Sequence, residues 1–310
     1  MLSDIATIRS VRGVAPALLA LAVATACQPG VQGGPGSTAT TSPSGPVRHV
    51  FVIVLENTSS QQALQQPYIS SLADRYSVAT NYHDLGEPSL PNYLAMTSGS
   101  TWGITDNEFH SLPATGIGNQ LTRARVSWKA YMEGFTGDCF DSPYPYALKH
   151  NPFPYYGGEC PPNVVPMTDL VTDLNGRTPW LSWITPGLCN DGHDCGVRTA
   201  DRWLSRVVPQ ITSSAAWRKD GVLFITWDES DTGDGQVALL VAAPKMRGEI
   251  TTRLDHFALL ATISDLMRVP RLGLAKQANS SPSCKRKRRA PKPAANVGRP
   301  HHRGRGRASS

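Results

Sequence analysis

The sequence predicts an α/β fold, with a mostly parallel central sheet covered by helices on both faces. Three observations carry that expectation. The strand candidates are continuous apolar runs rather than alternating ones, the pattern of strands buried on both sides. They alternate along the chain with segments of helical periodicity. The chain's 310 residues are enough for a single large core.

Taken in order, HVFVIVLEN at 49–57 is a β-branched run that reads as a buried strand. Segments 67–76 and 93–97 open as helices. Residues 134–168, rich in Pro, Gly and Tyr, read as a long functional loop or small subdomain. WLSWITPG (180–187), GVLFITWDES (221–230) and QVALLVAAP (236–244) are further buried strands. Between the first two, Trp203, Leu204, Val207, Val208 and Ile211 recur at helical spacing. DHFALLATISDLMRV predicts an amphipathic helix starting after Leu254. No internal repeat is visible, and the folded domain is expected at 47–274.

The flanks differ in composition. Residues 1–26 read as an export signal, with Arg9 and Arg12 ahead of an apolar run from Val14 to Ala26 that is short for a membrane span. Cys27 follows ATA, a loose bacterial lipobox with Ala24 where Leu is more usual, so it is a candidate for lipidation. Residues 28–46 are Gly, Pro, Ser and Thr with little to bury, a flexible linker. The net charge of +6 is concentrated at the other end: ten of the 30 Lys and Arg fall in 285–310, leaving 20 against 24 acids, or −4, for the rest. The segment 275–310 is therefore read as a basic, disordered tail. Behind an export signal such a tail points to anionic lipid or cell-wall polymer and argues against nucleic acid. Of six cysteines, Cys139, Cys160, Cys189 and Cys195 lie in the domain. Zinc is the alternative, but no CxxC spacing supports it. Disulfides are expected, Cys189–Cys195 pinning the NDGHD loop and Cys139–Cys160 closing a second one.

Polar residues gather where strands end, the place where parallel sheets bind ligands. Glu56 and Asn57 follow the first strand, Asn190 to Asp194 follow WITPG, and Asp228 and Glu229 follow LFITW. Ser89, between two prolines, is either a helix N-cap or a nucleophile. Oxygen ligands of this kind suit a hard divalent cation, which would offset the repulsion of clustered carboxylates. On that reading Glu56, Asn57, Asp228, Glu229 and Ser89 surround the cation. Asn92 donates to a phosphate oxygen, while His150, His193 and His256 contact phosphate or protonate the leaving group.

LEN, PSLPNYLAMTSG, KHNPF, NDGHDCGVRTADRWL, TWDES and DHFALLATISDLMRVPRLG occur in the order found in bacterial acid phosphatase and phospholipase C phosphoesterases. Residues 47–273 resemble that family, part of the alkaline phosphatase-like superfamily. The resemblance implies an α/β/α sandwich and a metal-assisted covalent phosphoenzyme. S-L-P-N sets Ser89 where distant nucleotide pyrophosphatases have the threonine of T-F-P-N. The resemblance also implies metal ligation by Glu56, Asn57, Asp228 and Glu229. His193 and His256 match positions that hold a second metal in many superfamily members, or that face phosphate and leaving group in the acid phosphatase branch. Asp191 or Asp194 could support a second ion, so one ion or two stays open. Compact, exported members resemble secreted monoester phosphatases, some acting on phosphoinositide, whereas the longer phospholipases C carry extra C-terminal β domains. The expectation is an exported, monomeric, metal-dependent phosphomonoesterase acting on small-molecule or lipid phosphate. A phosphodiesterase, or a non-enzymatic surface protein binding anionic polymer, is the alternative.

Overall fold

The computed structural model describes residues 47–244 and 246–280. The segments read as export signal and linker, Cys27, and the run after 280 lie outside the described residues. The elements are β1 (His49–Leu55), α1 (Ser60–Leu64), α2 (Pro67–Arg75), β2 (Ser77–Ala79), β3 (Tyr82–His83), α3 (Ser89–Ser98) and α4 (Ile117–Arg123). There follow β4 (Trp128–Met132), β5 (Val164–Pro166), α5 (Asp169–Asn175), β6 (Leu181–Thr185), α6 (Val197–Ser213) and α7 (Ala215–Asp220). The chain continues through β7 (Gly221–Trp227), β8 (Leu239–Ala242), β9 (Gly248–Ile250), β10 (Leu254–Asp255) and α8 (His256–Met267).

Eight strands form one sheet in the order β5-β4-β6-β1-β7-β8-β2-β9, and β10 pairs with β3 in a small second sheet. Every neighbouring pair of the large sheet is parallel except those of β8, which runs antiparallel to β7 and β2. The six residues Val50 to Leu55 and all of β7 are buried, as expected of central strands covered twice. Helices α3, α4 and α8 pack together as one layer, and α1, α2, α5, α6 and α7 as the other. The architecture is an α/β/α sandwich.

Three readings change. The helix read after Leu254 is not amphipathic: of α8, only Asp265 is exposed, because it is covered by α3 and by the helical turn Gly273–Lys276. The segment from 199 to 217 divides into α6 and α7 at Ser214, whose hydroxyl caps α7 by accepting from Trp217 N–H. The packed chain also continues past 274, with Ala275 and Ser280 buried and Arg271 donating to the Ala278 carbonyl at 2.9 Å. Cys139–Cys160 and Cys189–Cys195 are both disulfides. Among the described residues no helix is long and apolar enough to cross a membrane.

Helix α3 is buried on every side and must pass the backbone of 272–273 closely. Its C-cap Gly99 sits at φ 75°, and a Cβ there would meet the Leu272 carbonyl oxygen at 2.4 Å. Only glycine allows both the left-handed turn and that approach.

Candidate active site

Strand register builds the acidic centre. Leu55 stands opposite Trp227 in the parallel pair β1–β7, so Glu56 and Asp228, one residue further on, emerge side by side. Asp228 N–H donates to the Leu55 carbonyl and Thr58 N–H to the Glu229 carbonyl, both at 3.0 Å. On the other flank of β1, the Asp191 carbonyl accepts Glu56 N–H at 3.0 Å. Asn57 then turns at φ 42°, a region Asn tolerates better than most residues, and its N–H donates to Asp228 Oδ1 at 3.2 Å.

Ser89 reaches this centre from α3. Pro88 is the N-cap, Ser89 is the first helical residue, and the cap has no side-chain hydrogen bond. The capping alternative is thereby excluded. Buried Ser89 Oγ lies 3.2 Å from Glu56 Oε2 and 3.4 Å from Glu229 Oε1, two acceptors for its one proton. The preceding loop is fixed by Asp84, which accepts Ser230 N–H at 2.7 Å and Gly86 N–H at 2.9 Å. Asn92 was expected to hold a phosphate oxygen. Its amide instead braces the loop, donating to the Gly86 and Pro88 carbonyls at 2.8 and 3.2 Å and standing 3.2 Å from Glu229 Oε2. Its Oδ1 accepts Leu85 N–H at 2.9 Å.

The three candidate histidines have separate fates. His150 is buried between carboxylates, Nε2 3.1 Å from Glu56 Oε1 and Nδ1 3.3 Å from Asp191 Oδ2. These are ion-pair distances without hydrogen-bond geometry. Its ring stacks on Tyr93 at 5.3 Å, and the Tyr93 hydroxyl donates to Glu56 Oε1 at 2.8 Å. His150 therefore holds carboxylates rather than meeting a leaving group. His256 is also buried, its Nδ1 2.8 Å from the Tyr82 hydroxyl and its Nε2 2.6 Å from the Asp228 carbonyl. With both nitrogens occupied it supports the Asp228 backbone, a correction to the expected phosphate contact. His193 stands at the rim, its N–H donating to Asp191 Oδ1 and its Nδ1 paired with Asp194 Oδ1, both at 2.8 Å. The Cys189–Cys195 disulfide closes its loop. Asp194 serves His193, and Asp191 serves both His193 and His150.

The electrostatics reflect crowding. Burial, then the charges of Glu56 and Glu229, pushes the Asp228 carboxyl well above its ordinary value. Burial, with Glu56 and Glu87, raises Glu229 to about 7. Burial works against the charge on Glu56 as well, but His150 overrides it and holds Glu56 below the usual range. His150 is pulled down by burial and lifted further by Glu56 and Asp191, to about 9.

The donor chemistry fits a hard cation. Asn57 Oδ1 and Asp228 Oδ2 are buried with no hydrogen-bond partner, an expensive condition for polar atoms. Both belong to residues that share this centre with the Ser89, Glu56 and Glu229 oxygens. Among the described residues no three His, Cys, Asp or Glu side chains form a metal-binding cluster by themselves. A cavity of about 1050 Å³ lies elsewhere, at the strand starts near His49, Trp128 and Trp180, and includes none of these residues. Chemistry, not cavity size, marks the site.

Sequence reasoning passed over Tyr93, Asp84, Tyr82 and Lys149. Tyr93 had a local signal, since it falls one helical turn after Ser89 on the same face. The others act through contacts distant in sequence.

A large parallel sheet with one antiparallel strand, two helical layers and an acidic centre at the strand ends defines an alkaline phosphatase-like fold. A solved protein of the alkaline phosphatase superfamily from Vibrio parahaemolyticus superposes with TM-score 0.52 at 12% identity, over 74% of this chain and 68% of that one. The chain belongs to the Phosphoesterase family, whose model matches residues 62–272. It is 30% identical over 265 residues to a phosphate-repressible acid phosphatase of Penicillium chrysogenum, covering 76% of this chain and 64% of that protein. It is 28% identical over 245 residues to a phosphatidylinositol-3-phosphatase of Mycobacterium tuberculosis, covering 74% of this chain and 80% of that one. The chain spans about three fifths of the length of the fungal acid phosphatases it matches.

Proposed function

We propose that this chain is an exported, metal-dependent phosphomonoesterase that hydrolyses phosphate esters through a phosphoseryl intermediate on Ser89. The observation that carries this reading is the placement of Ser89 Oγ, buried against Glu56 and Glu229 instead of capping its helix. Family membership and relatives named as phosphatases support the reaction class. Two disulfides fit an oxidising compartment, in keeping with the export signal read from residues 1–26.

Glu56, Asn57, Asp228 and Glu229 would hold one divalent cation. When bound, that ion supplies Lewis acidity and offsets charge on a transferring phosphoryl group. Asp191 is engaged with His150 and His193, which favours one ion over two. The chain's own residues do the rest. Asn92 and Asp84 hold the Ser89 loop rigid, an advantage worth orders of magnitude in effective concentration. Ser89 Oγ forms the new bond to phosphorus, its proton passing to a carboxylate it already touches, as the ester oxygen departs. That oxygen takes its proton from water at the solvent-facing rim, where His193 stands. Water then cleaves the phosphoserine and releases phosphate. Substrates of this kind are phosphorylated small molecules or lipid headgroups, the latter reached through a lipidated Cys27 or the basic tail.

The full chain, stripped with chelator and resupplied with single divalent ions, tests the proposal on p-nitrophenyl phosphate, bis(p-nitrophenyl) phosphate and phosphatidylinositol 3-phosphate. Monoester hydrolysis that needs one ion, with phosphate trapped on Ser89 after acid quench, is expected. Ser89→Ala should lower turnover at least about a thousandfold. Unchanged turnover in that variant removes the nucleophile assignment, and preference for the diester replaces the monoesterase reading.

A further inference from the structure

We infer that Lys149, steadied by His193, is the substrate-phosphate contact that makes this site prefer a monoester to a diester. The inference rests on the phosphoesterase reading of the Ser89 centre and adds the residue that selects the substrate's charge.

Lys149 precedes His150, which is locked between Glu56 and Asp191, so the base of the lysine is fixed beside the acidic centre. Its Nζ lies 3.2 Å from His193 Nε2. With His193 Nδ1 paired to Asp194, Nε2 is the acceptor and the ammonium is the donor. That uses one of three ammonium protons and leaves two for a ligand. Among the described residues Lys149 makes no ion pair with a carboxylate, unlike Lys129, which is bound to Asp173 at 2.7 Å. Yet its charge is felt inside, where it adds to the lowering of Glu56 and offsets a little of the rise of Glu229. The rings of His150 and His193 are 5.9 Å apart, so one short chain of contacts runs from Ser89 through Glu56, His150 and His193 to Lys149.

The chemistry supplies the selectivity. Four acidic side chains, Glu56, Asp191, Asp228 and Glu229, repel any phosphate that approaches. A monoester carries close to two negative charges at neutral pH, whereas a diester carries one. A fixed cation attracts a dianion about twice as strongly as a monoanion at equal distance. Lys149 therefore favours the monoester most, and its two uncommitted protons suit the additional charged oxygen that a diester lacks.

The test compares Lys149→Met and Lys149→Arg with the parent full-length chain, each loaded with the same divalent ion. Kinetics on p-nitrophenyl phosphate and bis(p-nitrophenyl) phosphate are read beside calorimetric binding of inorganic phosphate. For Lys149→Met, KM for the monoester and Kd for phosphate should both rise about tenfold or more, with kcat less affected and diester kcat/KM falling only about threefold. Lys149→Arg should recover most of the phosphate affinity. Equal losses on both esters, or phosphate affinity that ignores the lysine, overturn the inference. Calorimetry keeps the two readings apart: phosphate binding that needs Lys149 in a chain hydrolysing neither ester upholds the contact and refutes the enzyme.

Discussion

Glu56 and Asp228 meet because Leu55 and Trp227 are opposite each other in neighbouring parallel strands. Their carboxyls respond in opposite directions to shared burial, Asp228 rising and Glu56 falling, because of the two it is Glu56 that faces His150. An acidic centre so arranged is stable only when protons or a cation offset its charge.

Removing one charge from the pair should separate ion binding from folding. Asp228→Asn keeps the shape and the acceptor for Asn57 N–H but weakens any divalent cation. The ion concentration for half-maximal activity should rise at least about tenfold, while the ion-free protein melts at the same or a higher temperature. A variant with unchanged ion requirement and a lower melting temperature would show that Asp228 is structural only.

Stability of the ion-free protein should fall as pH rises. Glu229 is raised from 4.5 to about 7 and His150 from 6.5 to about 9, with Asp228 and Asp191 also raised. A group with a raised folded pKa contributes fully below its unfolded value and loses that contribution as pH climbs through the folded one. Glu56 and His256 at the centre, with Asp106 and Asp234 at the surface, are lowered and oppose the trend. Chelated protein should therefore lose stability from about pH 4.5 to 7 through Glu229 and up to about 9 through His150. Added divalent ion should raise the melting temperature more at about pH 8 than at about pH 5, where protons compete for the carboxylates. Thermal unfolding with and without chelator checks both, and stabilisation on raising the pH of chelated protein would contradict them.

His256 should act as a positioning residue. His256→Phe leaves the Asp228 carbonyl and the Tyr82 hydroxyl without their partner, at a cost of about 1–3 kcal/mol in unfolding free energy. His256→Gln can still donate to that carbonyl and should retain most activity with the parent pH profile. Loss of one limb of the pH–rate profile in His256→Gln would instead make it an acid or base of the reaction.

The two disulfides should differ in what they support. Cys139–Cys160 closes the longer loop, 21 residues apart against 6. In the chain-entropy picture its removal costs about 3 kcal/mol, against about 2 kcal/mol for Cys189–Cys195. The Cys189→Ala/Cys195→Ala pair should nevertheless lower kcat/KM more, because it frees the loop that carries His193. Denaturant unfolding and monoester kinetics on the two double variants test this inverse ranking.

Much of this was legible in one dimension. The apolar runs of β1, β6 and β7 are continuous because both sides of those strands are covered, and the acids that follow them fall at the ligand-binding edge for the same reason. The paired cysteines were readable from compartment and spacing. The short strands β4, β5 and β9 were not, since three to five residues carry too little periodicity and owe their pairing to the sheet. The reversed direction of β8 left no mark in QVALLVAAP.

The residue types alone established a doubly covered sheet, an acid-rich strand edge, and a serine presented between prolines at the start of a helix. Local periodicity and backbone chemistry dictate those features without reference to distant neighbours. Only the tertiary structure decided that Asn92 and His256 brace the backbone, that His150 is enclosed by Glu56 and Asp191, and that Lys149 pairs with no carboxylate among the described residues. A polar side chain's role depends on which partners occupy its few hydrogen bonds, and those partners here come from up to 174 positions away along the chain.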